Sequence, residues 1–123
     1  MPKAEITKVD KPWGHELLWA KTADYVGKIL SIRAGHRLSL QYHEVKEETV
    51  LVLKGKMTLV IENDAGDLEE IELQTGDAHH IAPLRRHRMI AIEDCEVAEV
   101  STPHLADVVR IEDSYGREGT SQA

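Results

Sequence analysis

The sequence predicts an all-β fold, a sandwich or barrel, and three observations point to it. Its apolar residues fall in many short runs at near-regular spacing. Turn signals separate nearly all of them: Ala34-Gly35, Lys54-Gly55-Lys56, Asn63-Asp64-Ala65-Gly66-Asp67, Thr75-Gly76-Asp77 and Glu93-Asp94. No window of about 11 residues or more carries a helical period. Taken in order, the expected strands are Glu16–Ala20, Val26–Arg33, Arg37–His43, Thr49–Lys54, Met57–Glu62, Leu68–Leu73, His79–Ala82, Met89–Ile92, Val97–Ser101 and Val108–Glu112. Asp107–Tyr115 is ambiguous, since a helical turn fits as well as a strand through Val108-Val109-Arg110-Ile111. With two Trp, three Tyr and no Phe, the core must be aliphatic. Gly116 to Ala123 are small and polar and predict a frayed end.

A chain of 123 residues fits one domain. Fifteen basic against 22 acidic residues give a net charge of −7, which argues against nonspecific binding to nucleic acid or to an anionic membrane. No apolar run is long enough to span a bilayer, and Met1-Pro2-Lys3-Ala4-Glu5 lacks the apolar core of a secretion signal. Cys95 is the single cysteine, so no internal disulfide can form. These features together lead to the expectation of a cytoplasmic domain.

One expected strand is unusual. In Arg37-Leu38-Ser39-Leu40-Gln41-Tyr42-His43, alternation puts Arg37, Ser39, Gln41 and His43 on one face and Leu38, Leu40 and Tyr42 on the other. The polar face could lie in water, or it could line a cavity inside a barrel. Spacing around this strand adds a pattern. Gly35 is followed by Gln41-x-His43, Glu48 after four more residues and Gly55 after six; downstream come Gly76, Ala82-Pro83-Leu84 and His87. Gln41 and His43 can converge on one point from one strand face. Two imidazoles, a carboxylate and an amide oxygen form a mixed N/O donor set suited to Zn²⁺, Mn²⁺, Ni²⁺ or Fe²⁺. Asp77, His79 and His80 are further candidates, although His79 and His80 point to opposite faces.

These blocks resemble the two motifs of the cupin superfamily, G-x5-H-x-H-x4-E-x6-G and G-x5-P-x-G-x2-H. All spacings match, with Gln41 in place of the first His and with Ala82 and Leu84 in place of the Pro and second Gly. The resemblance implies a single-domain double-stranded β-helix, or jelly-roll barrel. Gln-x-His resembles the ligand pair of phosphomannose isomerases. Lys11-Pro12-Trp13-Gly14, Arg37-Leu38-Ser39-Leu40-Gln41 and Asp107-Val108-Val109-Arg110-Ile111-Glu112-Asp113-Ser114-Tyr115-Gly116-Arg117 resemble their type II branch, the isomerase domain of bifunctional isomerase/GDP-mannose pyrophosphorylases. The likeness runs from about Lys11 to Arg117 and leaves residues 118–123 outside it. It implies a divalent metal, zinc first, held by Gln41, His43, Glu48 and His87. It also implies a homodimer and an aldose–ketose isomerase acting on a sugar or sugar phosphate.

Such a reaction moves a proton between C1 and C2 through an enediolate, and a phosphate needs cationic partners. Arg37, on the polar face and in the shared Arg-Leu-Ser-Leu-Gln stretch, is the first candidate for contacting the substrate and for catalysis; Lys28 is the second substrate contact. Type II isomerases read Gln-x-His-His-His-Arg-Ala-Glu-His-Trp where this chain reads Gln41-Tyr42-His43-Glu44-Val45-Lys46-Glu47-Glu48-Thr49-Val50. Lys46 thus stands where the catalytic arginine stands and would carry a proton only if burial lowered its pKa. Two other functions fit the same residues: an iron-dependent dioxygenase of small molecules, and a sugar-binding module without turnover.

Overall fold

A computed structural model describes residues 2–120. Twelve strands and no helix are found among them, so no helix is long and apolar enough to cross a membrane. The strands are β1 (Thr7–Lys11), β2 (Gly14–Lys21), β3 (Val26–Ile32), β4 (Leu40–Tyr42), β5 (Glu48–Lys54) and β6 (Lys56–Glu62), then β7 (Leu68–Gln74), β8 (Ala78–Ile81), β9 (His87–Ala91), β10 (Cys95–Ser101), β11 (Val109–Glu112) and β12 (Gly119–Thr120). They form two six-stranded sheets in the orders β1-β2-β3-β10-β5-β8 and β12-β11-β4-β9-β6-β7. All pairings between strands are antiparallel.

Period-2 alternation explains the interior. Met57, Leu59 and Ile61 point inward from β6 while Thr58 and Val60 are only half-buried. Together with Leu30, Ile32, Val50, Val52, Leu73, Ile81, Met89 and Val97 they form the aliphatic core expected from a chain without Phe. Cys95 packs among them; burial first and Asp94 second push its thiol up to about 11, so it stays protonated and serves packing.

The same inward rows continue into charge. On β3 the row that holds Leu30 and Ile32 holds Lys28; on β5 the row of Val50 and Val52 begins with Glu48; on β10 Val97 is followed by Glu99 and Ser101. Register sets Glu99 beside Lys28 on one side and Val50 on the other. The interior therefore has an aliphatic half and a charged half. Two glycines allow the close approaches this needs. A Cβ on Gly14 would lie 1.9 Å from the Ser31 carbonyl oxygen. At Gly55, where φ is +88°, it would lie 2.3 Å from that of Asp94.

Three expectations are corrected. Arg37–His43 is not one continuous strand: only Leu40–Tyr42 is regular, and Arg37 makes an isolated bridge to Ile90. The Arg88 guanidinium Nε donates to the Leu38 carbonyl at 2.9 Å, taking an acceptor that a neighbouring strand would otherwise use. The chain end is not frayed at Gly119–Thr120, which pairs with β11; residues 121–123 of that expected tail lie outside the described residues. β1 was not expected, because Thr7-Lys8-Val9-Asp10-Lys11 has too few apolar residues to alternate. The ambiguous segment resolves as strand at Val109–Glu112.

Candidate metal centre

His43, Glu48 and His87 come together from three parts of the chain. His43 follows β4, Glu48 opens β5 and His87 opens β9. Each is at most 3% exposed, and one donor atom from each lies within 4.8 Å of the others. Glu48 Oε1 is 3.5 Å from His43 Nε2 and 3.2 Å from His87 Nε2. Gln41, paired in register with His87, has its amide nitrogen 3.5 Å from His43 Nε2 and its Oε1 2.6 Å from Ser39 Oγ.

Both rings are oriented by backbone carbonyls. His43 Nδ1 donates to Asp107 O at 2.5 Å and His87 Nδ1 donates to Arg85 O at 2.9 Å. A carbonyl can only accept, so in each neutral ring the Nε2 facing Glu48 carries a lone pair. His87 Nε2 and Glu48 Oε2 are sealed from solvent without a hydrogen-bond partner; the 3.2 Å contact of His87 with Oε1 is close but not aligned as a hydrogen bond. Three lone-pair donors converging in the interior repel one another unless a cation lies between them. The cluster therefore fits a divalent metal. Gln41 can join it: a half-turn of its amide would direct the oxygen toward His43, and the Ser39 hydroxyl can accept as readily as donate.

Electrostatics keep the carboxylate available. Burial alone would raise the Glu48 pKa, but hydrogen bonds from His43 and His87 when those rings are protonated at Nε2, and the charge of the Lys46 ammonium, hold it well below the usual carboxylate range. Lys46 Nζ lies 3.3 Å from Glu48 Oε2 and 3.3 Å from Glu99 Oε2. Burial pulls the Lys46 pKa down, and these two carboxylates more than reverse it, so the net direction is up. This corrects the expectation of Lys46 as a proton-accepting base, since it stays protonated. Glu99 moves the other way, raised by burial and by the charge of Glu48.

A cavity of about 60 Å³ opens beside the cluster. Its walls include Gln41, His43, Lys46, Lys28, Lys11, Glu16, Glu99, Arg110 and Arg117. Lys28 is where the sequence put it, 5% exposed and 3.2 Å from Glu16. Arg37 is not: it is exposed and its Nε donates to Ser114 Oγ at 2.9 Å, outside the cavity. The shared face assumed for it fails because strand geometry is lost at Leu38 and Ser39, which both line the cavity. Asp77 is a turn residue, its Oδ2 accepting Gln74 N at 3.0 Å. His80 meets Glu47 on the surface and His79 lines an outer groove. Sequence reasoning missed Lys11, Glu16, Glu99 and Arg110. For Glu99 the available signal was its spacing from the apolar Val97 in a strand otherwise read as core.

The family model described as "Mannose-6-phosphate isomerase C-terminal" matches residues 3–113. The chain belongs to this family. It is 30% identical over 113 residues to the mannose-1-phosphate guanylyltransferase ManC of Salmonella typhimurium, covering 89% of this chain and 23% of that protein. The chain thus spans about a quarter of the length of the curated relatives it matches. A Klebsiella pneumoniae protein with a double-stranded β-helix domain is similar at TM-score 0.67 and 20% identity, over 77% of this chain and 76% of that one. KdgF of Halomonas sp. is similar at TM-score 0.70 and 22% identity, over 81% of this chain and 86% of that one. These likenesses show the fold, a cupin-type double-stranded β-helix.

Motif departures can be read against this family. Leu84 occupies the glycine position of the second cupin motif and keeps a glycine-like φ of 68°, with its N–H donating to His43 O at 2.7 Å. Leu84→Gly should raise stability by about 1 kcal/mol, because a left-handed residue other than glycine is strained and Leu84 is exposed. A thermal midpoint below that of the parent would contradict this.

Asp107 is the second support. Its carboxylate accepts the backbone N–H groups of Glu44, Val45 and Lys46 at 2.8–3.0 Å, and its carbonyl holds His43. Burial alone would raise its pKa, but those three N–H groups bring it below its ordinary value. A depressed folded-state pKa gives stability that is present above the unfolded value and lost as pH falls through the folded one. The stability gap between parent and Asp107→Asn should therefore stay constant above about pH 5 and close as pH drops below about 4. Urea titrations across that range check it; a gap that persists at low pH would assign the effect to something other than the charge.

Proposed function

We propose that the protein is a metal-dependent aldose–ketose isomerase acting on a sugar or sugar phosphate, with zinc as the metal. The observation that carries this reading is the cavity that opens beside the His43–Glu48–His87 cluster, lined by His43 and by two carboxylates outside the cluster, Glu16 and Glu99. Family membership supports it, as does the likeness to proteins named for mannose 1-phosphate chemistry. Two imidazoles and a carboxylate suit zinc, with Gln41 as the fourth donor, and the ion when bound would supply Lewis-acid charge for a sugar carbonyl.

The chain's own residues supply the proton chemistry. Isomerisation removes a proton from the carbon beside the carbonyl, passes through an enediolate and returns the proton to the former carbonyl carbon, while the neighbouring hydroxyl proton moves to the former carbonyl oxygen; no oxidant or reductant is consumed. The base must offer a lone pair inside the cavity without being a metal ligand, and Glu99 meets that condition. Lys46, protonated between Glu48 and Glu99, holds both carboxylates in place. His43 and His87 keep their orientation through Asp107 O and Arg85 O during the cycle.

The test begins with elemental analysis of untagged protein beside a Gln41→Ala/His43→Ala double variant. Near-stoichiometric metal in the parent and none in the variant is expected. The zinc-loaded parent should then interconvert an aldose or its 6-phosphate with the ketose, mannose 6-phosphate being the first probe. Glu99→Gln should keep the metal and lose about 10²–10⁴-fold in kcat. Metal binding without interconversion of any aldose tested would leave a binding module, and oxygen uptake by an iron-loaded sample would turn the reading to a dioxygenase.

A further inference from the structure

An antiparallel sheet with one wet face carries apolar residues inward and polar residues outward. The outer face of the second sheet follows that rule. Across β9, β6 and β7 its rows are Ile90, Thr58 and Glu72, then Arg88, Val60 and Glu70, and each row carries charge. The first sheet does not follow it. Register lines up Leu17, Ile29, Ala98, Leu51 and Ala78 across β2, β3, β10, β5 and β8. The first four are next to the buried Glu16, Leu30, Val97 and Val50, so the row lies on the outer face. Val100 on β10 and Leu53 on β5 continue the same face two residues further along their strands. Trp19 joins it by lying over Gly27, where a Cβ would come 2.6 Å from the indole. Trp19, Leu51, Leu53 and Val100 are 37–50% exposed.

Area and charge say what covers this face. Five strands spaced about 4.8 Å apart and about seven residues long present roughly 500 Å² before side-chain relief is counted. Relief and the surrounding rim bring this into the range of about 600–1,000 Å² per partner that stable pairs bury. The rim is polar and locally balanced. Lys8 stands 3.9 Å from Asp10 on β1, Glu96 faces Lys54 across β10 and β5, and His80 meets Glu47 beside β8. At a net charge of −7, two copies of the chain repel over most of their surface, but not here. A partner recognised by charge would find no net sign to read. Edge-to-edge pairing is disfavoured by contrast. The outer strand β7 carries Glu69, Glu70 and Glu72, and a second copy paired there would set like charges together.

We propose that the outer face of the first sheet is the contact between two copies of this chain, packed face to face about a two-fold axis. Apolar sheet faces stack about 10 Å apart, with the side chains of one lying between those of the other. The small Ala98 and Ala78 on either side of Leu51 leave the hollows that such interleaving needs. A two-fold axis repeats every contact, so each residue of the row acts twice. The strands joined in this way carry Glu48 and Glu99 on their other face. The contact thus backs the candidate metal centre without entering it, and it does not depend on the isomerase reading.

Sedimentation equilibrium of the full chain tests this by mass rather than by turnover. At about 100 μM the parent should weigh twice 13.8 kDa. Val100→Lys and Leu51→Lys should each raise the dimer dissociation constant about 100-fold or more, because each puts two ammonium groups into the contact. Thr58→Lys, on the outer face of the second sheet, should leave the mass unchanged. Circular dichroism checks that each variant keeps its strands. Val100 is half exposed in the single chain, so if Leu51→Lys loses structure, Val100→Lys carries the comparison. A parent that stays at 13.8 kDa overturns the proposal and leaves the face to a different protein. A dimer that survives in the folded lysine variants also overturns it, since the two copies then meet elsewhere.

Discussion

Glu48 is the charge around which the interior is arranged. It is 3% exposed, and its two oxygens are divided, one facing two imidazoles and the other an ammonium. Removing a carboxylate from water costs several kcal/mol even after relaxation, on the order set by buried ions generally. The surroundings of Glu48 offset that cost through groups which must themselves be held. Asp107 fixes the turn that carries Lys46 and also orients His43, while the tight turn at Leu84 leads into Arg85 and His87. Loss of any one partner would leave the others facing an uncompensated buried charge, so the cluster behaves as a unit.

Antiparallel pairing lets such a cluster exist beside a dry core. Because side chains alternate strictly, a strand that begins with Val50 and Val52 inward must also carry Glu48 inward, and one with Leu30 and Ile32 must carry Lys28. Each charge is then answered by an adjoining strand or turn: Glu16 on β2 meets Lys28 on β3, and Lys46 before β5 meets Glu99 on β10. Cohesion sits at the aliphatic ends of these rows and the candidate site at the charged ends. A substitution at Met57 or Leu59 acts on the aliphatic packing, whereas one at Glu48 or Glu99 acts on the buried charge cluster.

Much of this was legible before any coordinates. β3, β5, β6 and β10 alternate clearly, and the fixed spacing from Gly35 to Gly55 and from Gly76 to His87 picks out three donors that the fold brings within 4.8 Å. What failed did so where local pattern and tertiary contact disagree. Arg37 was placed by extending alternation through Leu38 and Ser39, where a side chain, Arg88, takes the backbone acceptor instead of a strand. β1 and the Gly119–Thr120 pair were invisible because outer strands need little apolar content when one face is wet. Glu16, Glu99 and Arg110 were passed over because an isolated charge in a strand reads as a solvated face. Only its parity with a buried neighbour, such as Val97 for Glu99 or Val108 for Arg110, marks it as inward.

The replacement of the family's motif arginine by Lys46 joins these points. Lys46 lies between Glu48 and Glu99, so its charge is already matched and little of it is left for a ligand. Positive charge that remains free lies instead at Lys11 on β1 and Arg110 on β11, strands at or next to the margins of the two sheets. The donors His43, Glu48 and His87 sit at the ends of the inner strands β4, β5 and β9. The candidate metal donors and the free cations thus lie on different strands of one barrel. A margin strand can change its residues with little disturbance to the core, so ligand preference can shift while the donor set, fixed by buried carbonyls and a buried carboxylate, stays in place.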